Sequence, residues 1–182
     1  MSNVSAFKRF NTAPAATGLY DPSRDKDACG LAMVATLRGS AGHDIIETAL
    51  NALTNLEHRG AVGSDAGTGD GAGILSQIPD KFLRSVAGVE LPPLGSYAAG
   101  LVFIHQDDSV EVFQASFANL AKEEGLTVLG WREVPIRPEV LGDLARAAMP
   151  QIVQVFVGST GQVDLELERA LFRLRKRSER TL

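Results

Sequence analysis

Cysteine is all but absent from this sequence: one residue, Cys29, in 182. A single thiol closes no internal disulfide and builds no cysteine metal cluster, so neither an oxidising compartment nor a thiolate-held metal supports the fold. Aromatic residues are also few, at 6%, and there are only three histidines. Basic residues do not dominate. With 18 Lys and Arg against 22 Asp and Glu the net charge is -4, which gives no overall positive surface for neutralising phosphates, and no nucleic-acid partner is expected. No apolar run approaches the roughly 18 residues of a membrane-spanning helix. The opening "MSNVSAFKRFNTAPAATG" lacks the apolar centre of a secretory signal. No membrane role is expected, and a cytoplasmic setting fits best.

What is present is a globular balance, 45% apolar residues with a mean hydropathy of +0.02, enough for one sizeable core. Residues 1–28 stand apart: rich in Ser, Ala, Asn and Thr and without sustained periodicity, they read as an extension. From residue 31 onward short apolar runs alternate with amphipathic ones. "LAMVATL", "GILSQIP", "AAGLVFIH", "TVLGWREVP" and "IVQVFVG" have the length and flanking turn residues of strands. "DIIETALNALTNLEH" predicts a helix capped by Asp44 with Glu47 three residues on, its Ile46, Leu50, Leu53 and Leu56 facing a sheet. "DSVEVFQASFANLAKEEG" repeats the design, with Asp108 and Glu111 at its start, Val110, Phe113, Phe117 and Leu120 on one stripe, and Gly125 as its C-cap. Pro138 suits the first turn of another helix. "LPPLGSY" marks a loop. On the helix that carries "ERALFRLRKRSERTL", Leu167, Ala170, Leu171 and Leu174 face inward, while the clustered charge reads as a solvated face. Alternation alone points to a mainly parallel sheet in layers, though antiparallel layers produce the same string.

A lone cysteine opening an apolar strand is commonly a small buried hydrophobe. Two neighbours argue otherwise. Arg24, Asp25, Lys26 and Asp27 place the thiol at a surface edge, and Gly30 would let a substrate or another backbone approach closely. Were the chain cut between Ala28 and Cys29, the thiol would gain an adjacent α-amine, with a reference pKa of about 7.7 to 8.0 against about 8.5 for the thiol. Nucleophile and general base would then share one residue.

Three stretches, "ACGLAMVATL", "ALTNLEHRGAVGSDAGTGDGAGILSQIP" and "GWREVPI", resemble the amino-terminal glutaminase domain of the large subunit of glutamate synthase, a class II glutamine amidotransferase of the N-terminal-nucleophile hydrolase fold. "HRGA" followed by "TGDGAGI" is the specific part. The resemblance implies an α+β fold, a four-layer αββα sandwich of antiparallel sheets, here partial, and it displaces the parallel sheet. It implies a leader or propeptide at 1–28 and the N-terminal part of the amidotransferase domain at 29–182. It makes Cys29 the nucleophile that takes glutamine to glutamate and ammonia through a γ-glutamyl thioester. It places Arg59 in the substrate site, where a guanidinium can hold a carboxylate through paired hydrogen bonds. FMN and an iron-sulfur cluster are implied for the full-length enzyme and none for this segment. The implied partners are glutamine, downstream synthase domains using the ammonia on 2-oxoglutarate, and a small NAD(P)H-oxidising subunit or ferredoxin.

The remaining motifs take plainer readings. His58 reads as a structural hydrogen-bonding residue, since the implied base is the terminal amine. His43 and His105 are isolated, and no metal site is expected. The glycines at 63, 67, 69, 71 and 73 lack phosphate-loop spacing and read as a tight positive-φ loop at the pocket rim, with Asp65 and Asp70 bonding its own amides. The family's oxyanion donor, an asparagine of an Asn-Gly pair, has no counterpart: Asn3, Asn11, Asn51, Asn55 and Asn119 precede other residues. The chain is therefore expected to stop inside its domain, to leave apolar surfaces unpartnered, and to show little glutaminase activity alone. Two alternatives stay open: another class II amidotransferase, and a truncated copy serving as an interaction module.

Overall fold

The structure, a computed structural model, describes residues 18, 30–37, 39–56, 68, 71–159 and 161–182. In chain order the elements are α1 (His43–Asn55), α2 (Asp80–Val86), β1 (Tyr97–Ile104), α3 (Val110–Glu123), β2 (Thr127–Glu133), a 3-10 turn (Pro138–Val140), α4 (Asp143–Ala147), β3 (Gln151–Gly158) and α5 (Asp164–Thr181). The class is α+β. Three strands form one sheet in the order β1-β3-β2, and both pairings are antiparallel. Tyr97 lies opposite Gly158 and Ile104 opposite Gln151, while Thr127 also meets Gly158 and Glu133 meets Val153. The antiparallel sheet follows the family resemblance, not the parallel arrangement that alternation suggested.

β3 is central because both of its faces are apolar and it carries no charge. Val155 and Val157 point into a cluster with Phe117, Ala121 and Leu126 and with Leu167, Ala170 and Leu174 of α5. Phe156, fully buried, points the other way into a second cluster with Leu83, Ala87, Leu91 and Tyr97. Helices α3 and α5 thus cover one face, and α2 covers one end of the other. Towards the far end of that face Leu101 and Phe103 of β1 are 54% and 62% exposed. β2 bends at an irregularity between Val128 and Gly130. A Cβ on Gly130 would lie 2.7 Å from Val89 Cγ1, so glycine is what lets the 87–91 segment close onto the strand.

Local chemistry sets the helix ends. The Ser109 hydroxyl accepts from the Val112 amide at 3.3 Å and donates to Glu111 at 2.8 Å, so Ser109 caps α3 in place of the expected Asp108. Gly125, at φ 72°, ends the helix as expected, with the Leu126 amide donating to the Ala121 carbonyl at 2.9 Å. The basic run of α5 is more than a solvated face. Arg173 and Arg177 reach Glu124 at 2.6 and 2.8 Å, and Arg177 also meets Glu123, fastening α5 to the end of α3. Those hydrogen bonds, Arg173 first, hold the Glu124 carboxyl below its usual range.

The N-terminal expectations are corrected. "LAMVATL" and "GILSQIP" form no strand: Leu31 and Leu75 are 90% and 99% exposed. A half-apolar run becomes a strand when a neighbour pairs its backbone and a layer covers its face, and the described residues supply neither. α1 is a helix but begins at His43 with no side-chain cap, so Asp44 lies in its first turn. It buries none of its residues, and Leu50 does not reach a sheet. Pro138 does start a helical turn, but a short 3-10 one, with α4 beginning separately after Gly142.

Candidate functional site

Both site residues expected from the sequence, Cys29 and Arg59, lie outside the described residues, as do His58, Asp65 and Asp70. Their neighbours are described, and two of them meet. Gly30 follows Cys29 directly, and Leu56, three residues before Arg59, ends the turn that closes α1 with its amide donating to the Ala52 carbonyl at 3.1 Å. A Cβ built on Gly30 would lie 3.0 Å from Leu56 Cδ2 and 3.1 Å from both Cβ and Cδ1. The close approach expected at Gly30 is therefore filled by a side chain from the end of α1. Two segments 26 positions apart in sequence, 30 and 56, are in contact, one leading from the thiol and the other towards the arginine.

The glycine-rich run touches the rest of the molecule through Thr68, whose hydroxyl oxygen accepts from the Ala145 amide of α4 at 3.3 Å. Gly73 does not have a positive φ, which corrects that part of the loop expectation. His43 and His105 sit on the surface, 3.8 Å from Glu47 and 3.7 Å from Asp107. Among the described residues no group of three or more His, Cys, Asp or Glu is placed to hold a metal ion, and no helix is long and apolar enough to cross a membrane.

Two features escaped the sequence reading. A groove of about 540 Å³ runs beside β1, lined by Gly100, Val102, Phe113, Phe117, Leu171 and Leu182. Its polar lining includes Arg175 and Glu179, which pair at 2.8 Å, together with His105 and Asp108. Most of its lining side chains are apolar, and the groove is not read as a substrate site. The second is a polar clamp. Asp80 accepts from Arg84 Nε and from the Tyr97 hydroxyl, each at 2.9 Å, and Arg84 also donates to the carbonyls of Leu91 and Pro92. Burial first, then the bond to Asp80, pushes the Tyr97 phenol up to about 12, and the Arg84 bond, then Tyr97, holds Asp80 below its usual range. The clamp ties α2 and the 91–96 loop to the start of β1. Only the Asp80 and Arg84 spacing, four apart on a helix, signalled it.

The family model for class II glutamine amidotransferases matches residues 29–182. The chain belongs to the class II glutamine amidotransferases. Within that family it is 41% identical over 174 residues to the glutamate synthase [NADPH] large chain of Bacillus subtilis, an alignment covering 93% of this chain and 11% of that protein. It is 42% identical over 153 residues to the glutamate synthase [NADH] of Saccharomyces cerevisiae, covering 79% of this chain and 7% of that one. With the ferredoxin-dependent glutamate synthase 1 of Arabidopsis thaliana the identity is 37% over 174 residues, covering 93% and 11%. This amidotransferase chain thus spans 7% to 11% of the length of these relatives. The match begins on Cys29, the only cysteine.

Proposed function

We propose that this chain is the glutaminase part of a glutamate synthase, with Cys29 as its nucleophile and Arg59 as a substrate-binding residue. The observation that carries the reading is the start of the family match on the one thiol in the sequence. Residues 1–28 act as a leader whose removal frees the Cys29 α-amine. That amine takes the thiol proton, and the thiolate attacks the side-chain amide carbon of glutamine. The carbon-nitrogen bond breaks as the proton passes to the departing nitrogen, which leaves as ammonia. Water then cleaves the γ-glutamyl thioester, releasing glutamate and restoring the thiol. Arg59 holds the substrate carboxylate through paired hydrogen bonds, which orients the amide towards sulfur.

The three-stranded sheet with α3 and α5 on one face is one sheet-and-helix pair of an αββα sandwich. The partly open second face, with Leu101 and Phe103, is the side on which the other sheet packs. Ammonia passes to downstream domains for addition to 2-oxoglutarate. The relatives' names include NADPH, NADH and ferredoxin, which supports a small NAD(P)H-oxidising subunit or ferredoxin as electron donor to the whole enzyme. The FMN and iron-sulfur centres of such an enzyme are assigned to its other regions, since the one cysteine of this sequence cannot supply a cluster's thiolates. No step of the glutaminase reaction is assigned to them.

The test is labelling by an electrophilic chloroketone analogue of glutamine, read by peptide mass. Protein beginning at Cys29 should be modified there, glutamine should protect it, and Cys29→Ser should abolish the labelling. Equally fast labelling of protein that retains Met1 would sink the role given to the α-amine.

A further inference from the structure

We propose that the outer edge of β1 is a self-association surface: two copies of this chain pair their β1 strands antiparallel across a two-fold axis, joining two three-stranded sheets into one. The surface is independent of the glutaminase chemistry proposed above. Among the described residues β1 and β2 are the two edges of the sheet, and they differ. β2 carries the irregularity between Val128 and Gly130 and ends on Arg132 and Glu133, a bulge and charges of the kind that keep an edge from pairing. β1 has neither. Its eight residues, Tyr97–Ile104, include no charge and no proline, and its register with β3 runs unbroken from end to end. Each copy therefore offers one open edge, so the pairing closes at two copies and does not run on into a fibre.

The order of sizes along β1 identifies the occupant. Ala98, Ala99 and Gly100 come first, and Leu101, Val102, Phe103 and Ile104 follow. Residues opposed across an antiparallel pair share a face and touch. With the two-fold at Leu101, Ala99 lies opposite Phe103 of the other copy, Gly100 opposite Val102, and Ala98 opposite Ile104. The large half of each strand fills the space left by the small half of its mate, a match that an identical strand run parallel and in register does not give. On the helical face, the groove beside β1 is walled by Phe113, Phe117, Leu171 and Leu182 and holds Arg175 and Glu179 one helical turn apart. The same two-fold reverses α5 of the second copy, which sets Arg175 towards Glu179 across the groove and opposes no like charges. His105 and Asp108 lie beyond the paired span.

The test is the mass of the whole 182-residue chain in solution, measured by light scattering over a range of concentrations. The wild-type chain should be a dimer that dissociates on dilution. Leu101→Lys places two like charges opposite each other at the axis and should weaken association by about tenfold or more. Leu101 is 54% exposed, so the monomer should keep its circular dichroism and its urea midpoint. Leu101→Glu should behave in the same way, and an equimolar mixture of the two variants should dimerise again, because each axis pair then carries opposite signs. Thr127→Lys, on the β2 edge, should leave the mass unchanged. A wild-type chain that stays monomeric would overturn the proposal and leave the edge to a strand from a different protein or from a longer chain. A dimer untouched by Leu101→Lys, one not regained on mixing the two variants, or an assembly that grows beyond two copies would overturn it as well.

Discussion

Residues 30–79 and residues 80–182 solve the problem of apolar side chains in opposite ways. Among the described residues every buried one lies between Leu83 and Leu174, whereas the earlier stretch holds Leu31, Met33, Leu37 and Leu75 in solvent. Apolar content does not separate them. The later part arranges its strands and helices so that neighbours in space are short excursions in sequence: β1, α3 and β2 follow one another, and β3 returns between β1 and β2 to pair with both. Each strand therefore finds its partner within the same stretch. The earlier part has one helix and two extended apolar runs, and one of its contacts with the remainder is Thr68 to Ala145. A core needs complementary surfaces as well as apolar residues.

The contrast breaks if a mutation in the earlier part costs as much stability as one in the sheet. Phe156→Ala empties a site that is 0% exposed and should cost about 3–5 kcal/mol in urea unfolding. Leu75→Ala, at 99% exposure, should stay within about 0.5 kcal/mol. Equal effects would mean that the 71–79 segment is buried in the folded protein in solution. A smaller loss, about 1–3 kcal/mol, is expected for Gly130→Ala, since its new methyl would meet Val89 at 2.7 Å and the loop would have to move. Recovery in Gly130→Ala combined with Val89→Ala would confirm the source of the strain.

The smallest effect sharpens the comparison through pH. Glu124 has a folded-state pKa below its ordinary 4.5 because Arg173 and Arg177 hold the charged form. Its contribution is therefore complete above about pH 4.5, the unfolded value, and is lost as pH falls through the lower folded value. Wild-type stability should decline over that acid range, and Glu124→Gln should make the decline shallower while lowering stability at neutral pH. An unchanged acid profile in Glu124→Gln would show that the link between α3 and α5 carries no pH-dependent stability.

Much of the later half was legible in advance. "AAGLVFIH", "TVLGWREVP" and "IVQVFVG" became β1, β2 and β3, and Leu167, Ala170 and Leu174 face inward as spaced, because period and turn residues are local properties. Strand direction was not local, and only the family resemblance anticipated the antiparallel pairing. Ser109 displaced Asp108 as cap because the better-placed oxygen wins, and one residue of register decides that. The Asp80, Arg84 and Tyr97 clamp stayed hidden since its members sit 17 positions apart at the widest and meet only when α2 folds over β1.

For the site, sequence by itself determined the chemistry available: one thiol, its charged approach, the glycine beside it, and an arginine in "HRGA". Residue identity fixes what a group can do whatever surrounds it. Only the tertiary structure decided that the bare face of Gly30 is occupied by Leu56, and that Arg173 and Arg177 are spent on Glu123 and Glu124. Those outcomes depend on distances between segments remote in the chain, which no local pattern encodes and which packing alone sets.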